Sequence, residues 1–266
     1  MPWDLTNKVV IITGGAEGIG LAIADKYLEK GAKTIIILDI NETLGNEAAR
    51  KLTEKYGENS AVFYKCDVTD DVEKVSKNIF NSFSVDVLVN SAGIVNEIEP
   101  KKCIDTNVTG LIEWSYKLWE HMGKPKNGNG GTIINLGSVC SFRVEPFFSI
   151  YHASKFAVLG FTRSLGHEAN FKRSGVRVIA LCPGPTRTNM QSVYIIRDDA
   201  LEEELENTKK SLTWQSADDV GDAAVEVYLQ AESGTTWLIE GSKALVEIKK
   251  YEILRCARIC DTKLTV

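Results

Sequence analysis

Residues 8–30 constrain the fold more than any other stretch. Lys8 to Thr13 reads KVVIIT, a short apolar run rich in β-branched residues. That is the pattern of a strand buried on both faces. TGGAEGIG (13–20) follows directly, and a helical pattern runs from Leu21 to Lys30. Strand, glycine loop and helix in that order are the context a dinucleotide fingerprint needs. Gly14 permits the tight turn, Gly18 lets the backbone approach a pyrophosphate, and Gly20 lets the helix pack close on the strand. The helix N-terminus then faces the negative charge. A glycine triplet alone is a common turn; the strand before it and the helix after it set this one apart.

A second apolar run, TIIILD (34–39), ends in a carboxylate nineteen residues after Gly20. There Asp39 can accept hydrogen bonds from adenosine ribose hydroxyls, and it would repel a 2′-phosphate. No Arg or Lys stands in the glycine loop or immediately after Asp39, so the sequence favours NAD over NADP. The pattern continues with a helix over 42–56, a strand over 61–66, a helix over 72–83 and a strand over 85–89. A helix follows over 103–119, then a strand over 132–136 and a helix that carries Tyr151 to about Phe171. A strand over 176–181, a helix over 220–229 and two short strands (235–239, 245–248) complete it. Alternating strands and helices predict an α/β fold: a parallel sheet with helices on both faces and ligands at the strands' carboxyl ends. We read residues 1–266 as one domain. A segment at about 189–213 covers the cleft, and an extension begins at about 249.

Several residues fall at that carboxyl edge. Asp67 either reaches an adenine amino group or caps the next helix, since Asp is a favoured N-cap residue. Asn90-Ser91-Ala92-Gly93 leaves room for a ligand. Asn107, inside a helix, needs a water or a backbone carbonyl to hold. The hydroxyls of PGPTRT (183–188) can face a nicotinamide amide.

Ser138, Tyr151 and Lys155 carry the chemistry. Tyr151 and Lys155 are four residues apart, so on a helix both rise from one face. An ammonium beside a phenol favours the phenolate, and a phenol tuned in this way can move a proton near neutral pH. Ser138 can hydrogen-bond the same reacting oxygen. Phe142, Pro146, Phe147, Phe148, Val193, Tyr194 and Ile195 cluster near the expected cleft and suggest an apolar binding surface. The competing reading places some of them in the core or in a dimer interface. Substrate contacts are expected from Ser138, Cys140, Phe147, Phe148, Tyr151 and Tyr194.

Composition narrows the classes. The chain is 44% hydrophobic and 25% charged, ordinary for a globular protein. A net charge of −5 gives nucleic-acid binding no support. No apolar run approaches the ~18 residues of a membrane span, and the N-terminus lacks signal-peptide blocks. We read the protein as soluble and cytoplasmic. Cys256 and Cys260 form a CxxxC that does not make a zinc site.

Taken together, TGGAEGIG (13–20), Asp39, CDV (66–68), NSAG (90–93), Asn107, GSV (137–139), YHASK (151–155) and PGPTRT (183–188) resemble the short-chain dehydrogenase/reductase family, over roughly residues 5 to 250. The resemblance implies a single Rossmann-type domain, a NAD(P)-dependent alcohol–carbonyl reaction and no metal. It places catalytic roles on Asn107, Ser138, Tyr151 and Lys155. Lys155 would also hold the nicotinamide ribose, and Asn107 would anchor a water that relays protons from Lys155 to solvent. Cofactor contacts carry over to Gly14, Gly18, Ile19, Gly20, Asp39, Ile40, Cys66, Asp67, Val68, Asn90, Ala92, Gly93, Tyr151, Lys155, Pro183, Gly184, Thr186 and Thr188. Two features depart from the family pattern. Ser91 replaces an amide, and GTTWLIEGSKALVEI (234–248) stands where a late glycine-rich segment is usual. That ending, the GKPKNGNGG loop, LTNKVVIITGG and VNEIEPKKCIDTNVTGL look like the branch of insect-type alcohol dehydrogenases and 15-hydroxyprostaglandin dehydrogenases. The departure points to a homodimer rather than the typical tetramer. The expected substrate is an apolar, lipid-like alcohol such as a hydroxylated fatty acid, isoprenoid or steroid, with small aliphatic alcohols as the alternative. A catalytically silent NAD-binding relative and a nucleotide-sensing regulator are the rivals from other classes; neither requires Ser138, Tyr151 and Lys155 together.

Overall fold

Strand β1 (Val9–Thr13) is buried along its whole length. Its side chains alternate between two cores, Val10 and Ile12 on one face and Val9 and Ile11 on the other. Such a strand needs a helical layer on each side, and the computed structural model, which describes residues 3–190 and 194–249, provides them. The strands are β1, β2 (Thr34–Asp39), β3 (Ala61–Lys65), β4 (Val87–Asn90), β5 (Gly131–Leu136), β6 (Val176–Pro183), β7 (Thr236–Ile239) and β8 (Val246–Glu247). They form one sheet in the order β3-β2-β1-β4-β5-β6-β7-β8. Every pairing is parallel except β7 with β8.

One layer contains α1 (Gly18–Glu29), α2 (Glu42–Tyr56) and α9 (Ala217–Gln230), which bury Ile23, Tyr27, Leu52, Val220 and Val227 against the sheet. The opposite layer contains α3 (Val72–Ser82), α5 (Leu111–Met122) and α6 (Ser149–Leu165), with Val75, Ile79, Trp114, Leu118 and Leu165. The chain leaves β1 toward β2 on one side and returns to β4 on the other. That reversal opens a crevice at the carboxyl ends of β1 and β4. Register aligns the crevice floor: Thr13 pairs with Asn90, and Asn90 with Asn135.

Two helices and one strand depart most from the sequence expectation. The helix expected over 103–119 is α4 (Pro100–Ile104), a π-helical turn (Asp105–Gly110) and then α5. The π turn falls on Asn107, and such turns gather at functional sites. The helix expected to reach Phe171 stops at Leu165. Gly166 approaches β6 so closely that a Cβ would lie 2.5 Å from the Val178 carbonyl. His167 then caps the separate α7 (Glu168–Ser174), its ring accepting from the Ala169 N–H. Finally, β4 begins two residues later than expected and runs to Asn90.

The 189–213 segment holds a 3-10 turn (Asp199–Leu201) and α8 (Glu202–Ser211). Its Met190, Tyr194, Ile196, Leu201 and Leu205 pack on Val95, Phe147, Phe148 and Tyr151. Val193 and the Cys256–Cys260 pair lie outside the described residues. Among the described residues, no helix is long and apolar enough to cross a membrane.

Candidate active site

A cleft with a cavity volume of about 1220 Å³ runs along the carboxyl edge of the sheet. One end is built by the glycine loop. Gly14 takes φ +62°, and a Cβ there would lie 2.8 Å from Ala92 Cα. A Cβ on Gly20 would lie 2.1 Å from the Gly14 carbonyl oxygen, so the loop folds back on the first turn of α1 only because that residue is bare. Helix α1 begins at Gly18, earlier than Leu21, and Gly18, Ile19 and Gly20 line the cleft. The Asp39 carboxylate accepts from the N–H groups of Ala16 (3.1 Å) and Asn41 (2.9 Å), which fix it at the edge of the loop. Ile40, Cys66, Asp67, Val68, Ala92 and Gly93 continue the wall, and Pro183, Gly184, Thr186 and Thr188 face them.

One expectation at this end is corrected, and one of the two readings of Asp67 is ruled out. Asn90 does not line the cleft. Its buried amide donates to Asn135 Oδ1 and Ser115 Oγ, both at 2.9 Å, and so ties the sheet to α5. Asp67 lines the cleft but does not cap α3. Its carboxylate accepts from the Thr69 N–H and hydroxyl, and the N-cap of α3 is Asp71.

The other end brings Ser138, Tyr151 and Lys155 onto one wall. Ser138 ends the turn after β5, and its Oγ accepts from the Cys140 N–H at 3.2 Å. Tyr151 and Lys155 lie one turn apart on α6. The Lys155 Nζ sits 5.5 Å from the Tyr151 ring centre and donates to the Leu136 carbonyl at 2.9 Å. The expected lowering of the phenol's pKa by the lysine is absent. Burial pushes the Tyr151 phenol far above its ordinary value, with smaller contributions from Cys140 and Tyr194; the Ser138 hydroxyl opposes the rise. Burial also pulls the Lys155 amine down to about 8. Each group is enclosed without a counter-charge, so each is driven toward its neutral form.

Asn107 is fully buried and is held by backbone, one of the two reasons its place in a helix required. Its Oδ1 accepts from the Ile94 N–H and its Nδ2 donates to the Ile94 carbonyl, both at 2.8 Å. Its Nδ2 also reaches Ser154 Oγ on α6 at 3.1 Å. A Cβ on Gly93 would meet both Asn107 Oδ1 (3.3 Å) and Lys155 Nζ (3.8 Å), so the two polar groups converge behind that glycine.

The rest of this end is mostly apolar, with Glu145, Thr208 and Lys209 as polar members of its lining. Phe148, Tyr194, Ile195, Met190, Leu205 and Trp214 line it. Phe148 meets Tyr194 edge-on at 5.3 Å. Cys140 also lines the cleft. Phe147 is corrected: it is buried behind Phe148 rather than facing the cleft, with the two rings 6.0 Å apart. His152 steadies this wall from behind, its Nε2 accepting from the Glu145 N–H at 3.2 Å and its Nδ1 2.6 Å from the Phe148 carbonyl. The sequence reading did not single out Met190, Leu205, Trp214 or the buried Glu97, since nothing in the local pattern marks them.

A bare glycine loop, a helix N-terminus and small residues at Ser91–Gly93 fit a dinucleotide, and a hydroxyl, phenol and amine share a wall beyond it. Fold and site together define a dinucleotide-binding α/β protein whose cleft carries a hydroxyl, a phenol and an amine beyond the glycine loop. The chain belongs to the short chain dehydrogenase family, whose family model matches residues 8–196. It is 36% identical over 187 residues to the 15-hydroxyprostaglandin dehydrogenase [NAD(+)] of Homo sapiens, covering 69% of this chain and 70% of that one. It is 32% identical over 193 residues to alcohol dehydrogenase 1 of Ceratitis cosyra, covering 71% and 74%. A solved structure of 3-ketoacyl-(acyl-carrier-protein) reductase from Brucella melitensis, complexed with NADH, shares the fold with a TM-score of 0.76. Its identity to this chain is 24%, over 90% of this chain and 98% of that one.

Proposed function

We propose that this chain is a NAD-dependent dehydrogenase that interconverts a secondary alcohol and its ketone, or a primary alcohol and its aldehyde. The observation that carries the reading is the joint placement of Ser138, Tyr151 and Lys155 at the apolar end of a cleft whose other end is the glycine loop and Asp39. Tyr151 would take the hydroxyl proton from the alcohol as the phenolate, the form that a charged Lys155 and the positive ring of bound NAD⁺ would favour, and Ser138 hydrogen-bonds the oxygen as its charge changes. Lys155 faces the phenol and would hold the nicotinamide ribose. Asn107, converging on it behind Gly93, anchors the relay of protons to solvent. Bound NAD⁺ supplies the hydride acceptor and a positive ring charge.

Preference for NAD is supported by the fixed Asp39 carboxylate, by the absence of a basic residue in the glycine loop, and by the NAD(+) in the name of the human relative. The apolar wall supports a lipid-like substrate, such as a hydroxylated fatty acid or prostaglandin, an isoprenoid or a steroid. A homodimer in the cytoplasm completes the reading. The exposed Tyr116 on α5 and Phe156 on α6 support the dimer, because both are large apolar side chains left uncovered on neighbouring helices.

The test is NADH absorbance with a panel of alcohols from short aliphatic to steroidal, run with NAD and with NADP. We expect the best turnover with the apolar, longer members and a large preference for NAD, narrowed in Asp39→Ala. Equal use of both cofactors by the wild type would contradict the assignment of Asp39, and no turnover of any alcohol would contradict the activity.

A further inference from the structure

Helix α6, which carries Tyr151 and Lys155, has no cap of its own. Its N-cap residue, Phe148, offers no side-chain acceptor. The first-turn N–H groups of a helix need partners. Here they come from a residue more than fifty positions earlier. The carboxylate of Glu97, in the loop after β4, is 1% exposed. Its Oε1 accepts from the Tyr151 N–H at 2.9 Å. Its Oε2 accepts from the Ile150 N–H at 2.9 Å and from the Ser149 hydroxyl at 3.0 Å. The basic side chains nearest in sequence, Lys101 and Lys102, pair elsewhere, with Asp105 and Glu99. The Glu97 charge is therefore answered by the helix N-terminus itself, where negative charge is favoured.

The backbone of the same residue points the other way. The Glu97 N–H donates to the Ile195 carbonyl at 2.9 Å, and Asn96 forms a parallel bridge with Ile195. Ile195 and its neighbour Tyr194 belong to the segment that covers the apolar end of the cleft. One residue thus holds the helix of the reacting phenol with its side chain and the substrate cover with its main chain.

We propose that Glu97 is a positioning residue that joins the substrate cover to α6 and sets where Tyr151 stands. It touches no reacting atom and acts through the first turn of α6. The proposal deepens the dehydrogenase reading and, for its kinetic consequence, rests on it.

Glu97→Gln keeps the shape of the side chain and removes its charge; its NH2 group faces an N–H that needs an acceptor. Charge-assisted hydrogen bonds are worth enough that kcat is expected to fall about tenfold or more, with KM for NAD changed less than about threefold. Hydrogen exchange is expected to quicken both at Ile150 and Tyr151 and at residues 194–196. Glu97→Asp withdraws the carboxylate by one methylene and keeps its charge. It is expected to show the same paired change, and it serves as the variant should Glu97→Gln not fold. Faster exchange confined to the first turn of α6, or a lower melting temperature with kcat unchanged, would overturn the proposal by reducing Glu97 to a local cap. The exchange arm needs no turnover. Were the wild type inactive on every alcohol, the dehydrogenase reading would fall while exchange still decided the tie between cover and helix.

Discussion

Lys155 shows how much one buried amine can weigh. Its pKa is about 8 in the folded chain against 10.5 in the unfolded one, because burial penalises the charged form. Between those values the unfolded state holds more protons, so stability rises with pH across that window. Below pH 8 both states are charged and the burial penalty is fully present, about 3 kcal/mol. Lys155→Met keeps the length and drops the charge, at the loss of one hydrogen bond to Leu136 worth about 1 kcal/mol. Without cofactor, Lys155→Met is expected to be more stable than wild type near pH 7, with the gap shrinking toward pH 10. Urea unfolding across that range measures it, and a gap that stays constant with pH would contradict the assignment. Asn107 is a second test at this scale. Asn107→Ala leaves the part-buried Ile94 N–H without its acceptor and its carbonyl with only the weak Cys103 thiol contact, and a loss of about 1–3 kcal/mol is expected by denaturant unfolding.

Gly20→Ala tests the glycine loop as an element. The new Cβ would stand 2.1 Å from the Gly14 carbonyl, so the loop must move. We expect NADH affinity, followed by fluorescence, to fall at least about tenfold, with a stability loss of about 1–3 kcal/mol. Unchanged affinity would mean that the loop does not hold the dinucleotide. This element was legible in the sequence because the strand before it is apolar on both faces and each glycine has a local reason. Most strands were legible for the same cause: Ile35 and Ile37 face one core while Ile36 and Leu38 face the other. The α6 ending at Leu165 was not legible, since the close approach of Gly166 to the Val178 carbonyl on β6 belongs to the tertiary fold and leaves no local mark but a glycine. The π turn at Asn107 and the Glu97 cap escaped for a similar reason, as both answer to backbone groups brought in by the fold. The pKa shift of Tyr151 was misjudged because spacing along a helix reports proximity and says nothing of burial.

Across the whole molecule, the buried Arg177 of β6 joins the layers. Its guanidinium donates to the Tyr228 and Ala231 carbonyls at the end of α9, both at 2.7 Å, and to Thr132 on β5. The Trp3 ring lies 3.9 Å from it. Arg177→Met leaves two buried carbonyls unpaired and is expected to cost about 2–4 kcal/mol by denaturant unfolding, with activity of the folded fraction retained. The sheet reversal at β1 and β4 sets the larger arrangement, in which the glycine loop and the wall of Ser138, Tyr151 and Lys155 share one cleft. The most direct measurement compares wild type with Tyr151→Phe for NADH formation on an alcohol the wild type oxidises, with NADH binding followed in parallel. The account predicts that Tyr151→Phe binds the cofactor as wild type does and yields no NADH above background. Turnover by Tyr151→Phe at a rate near that of the wild type would contradict it.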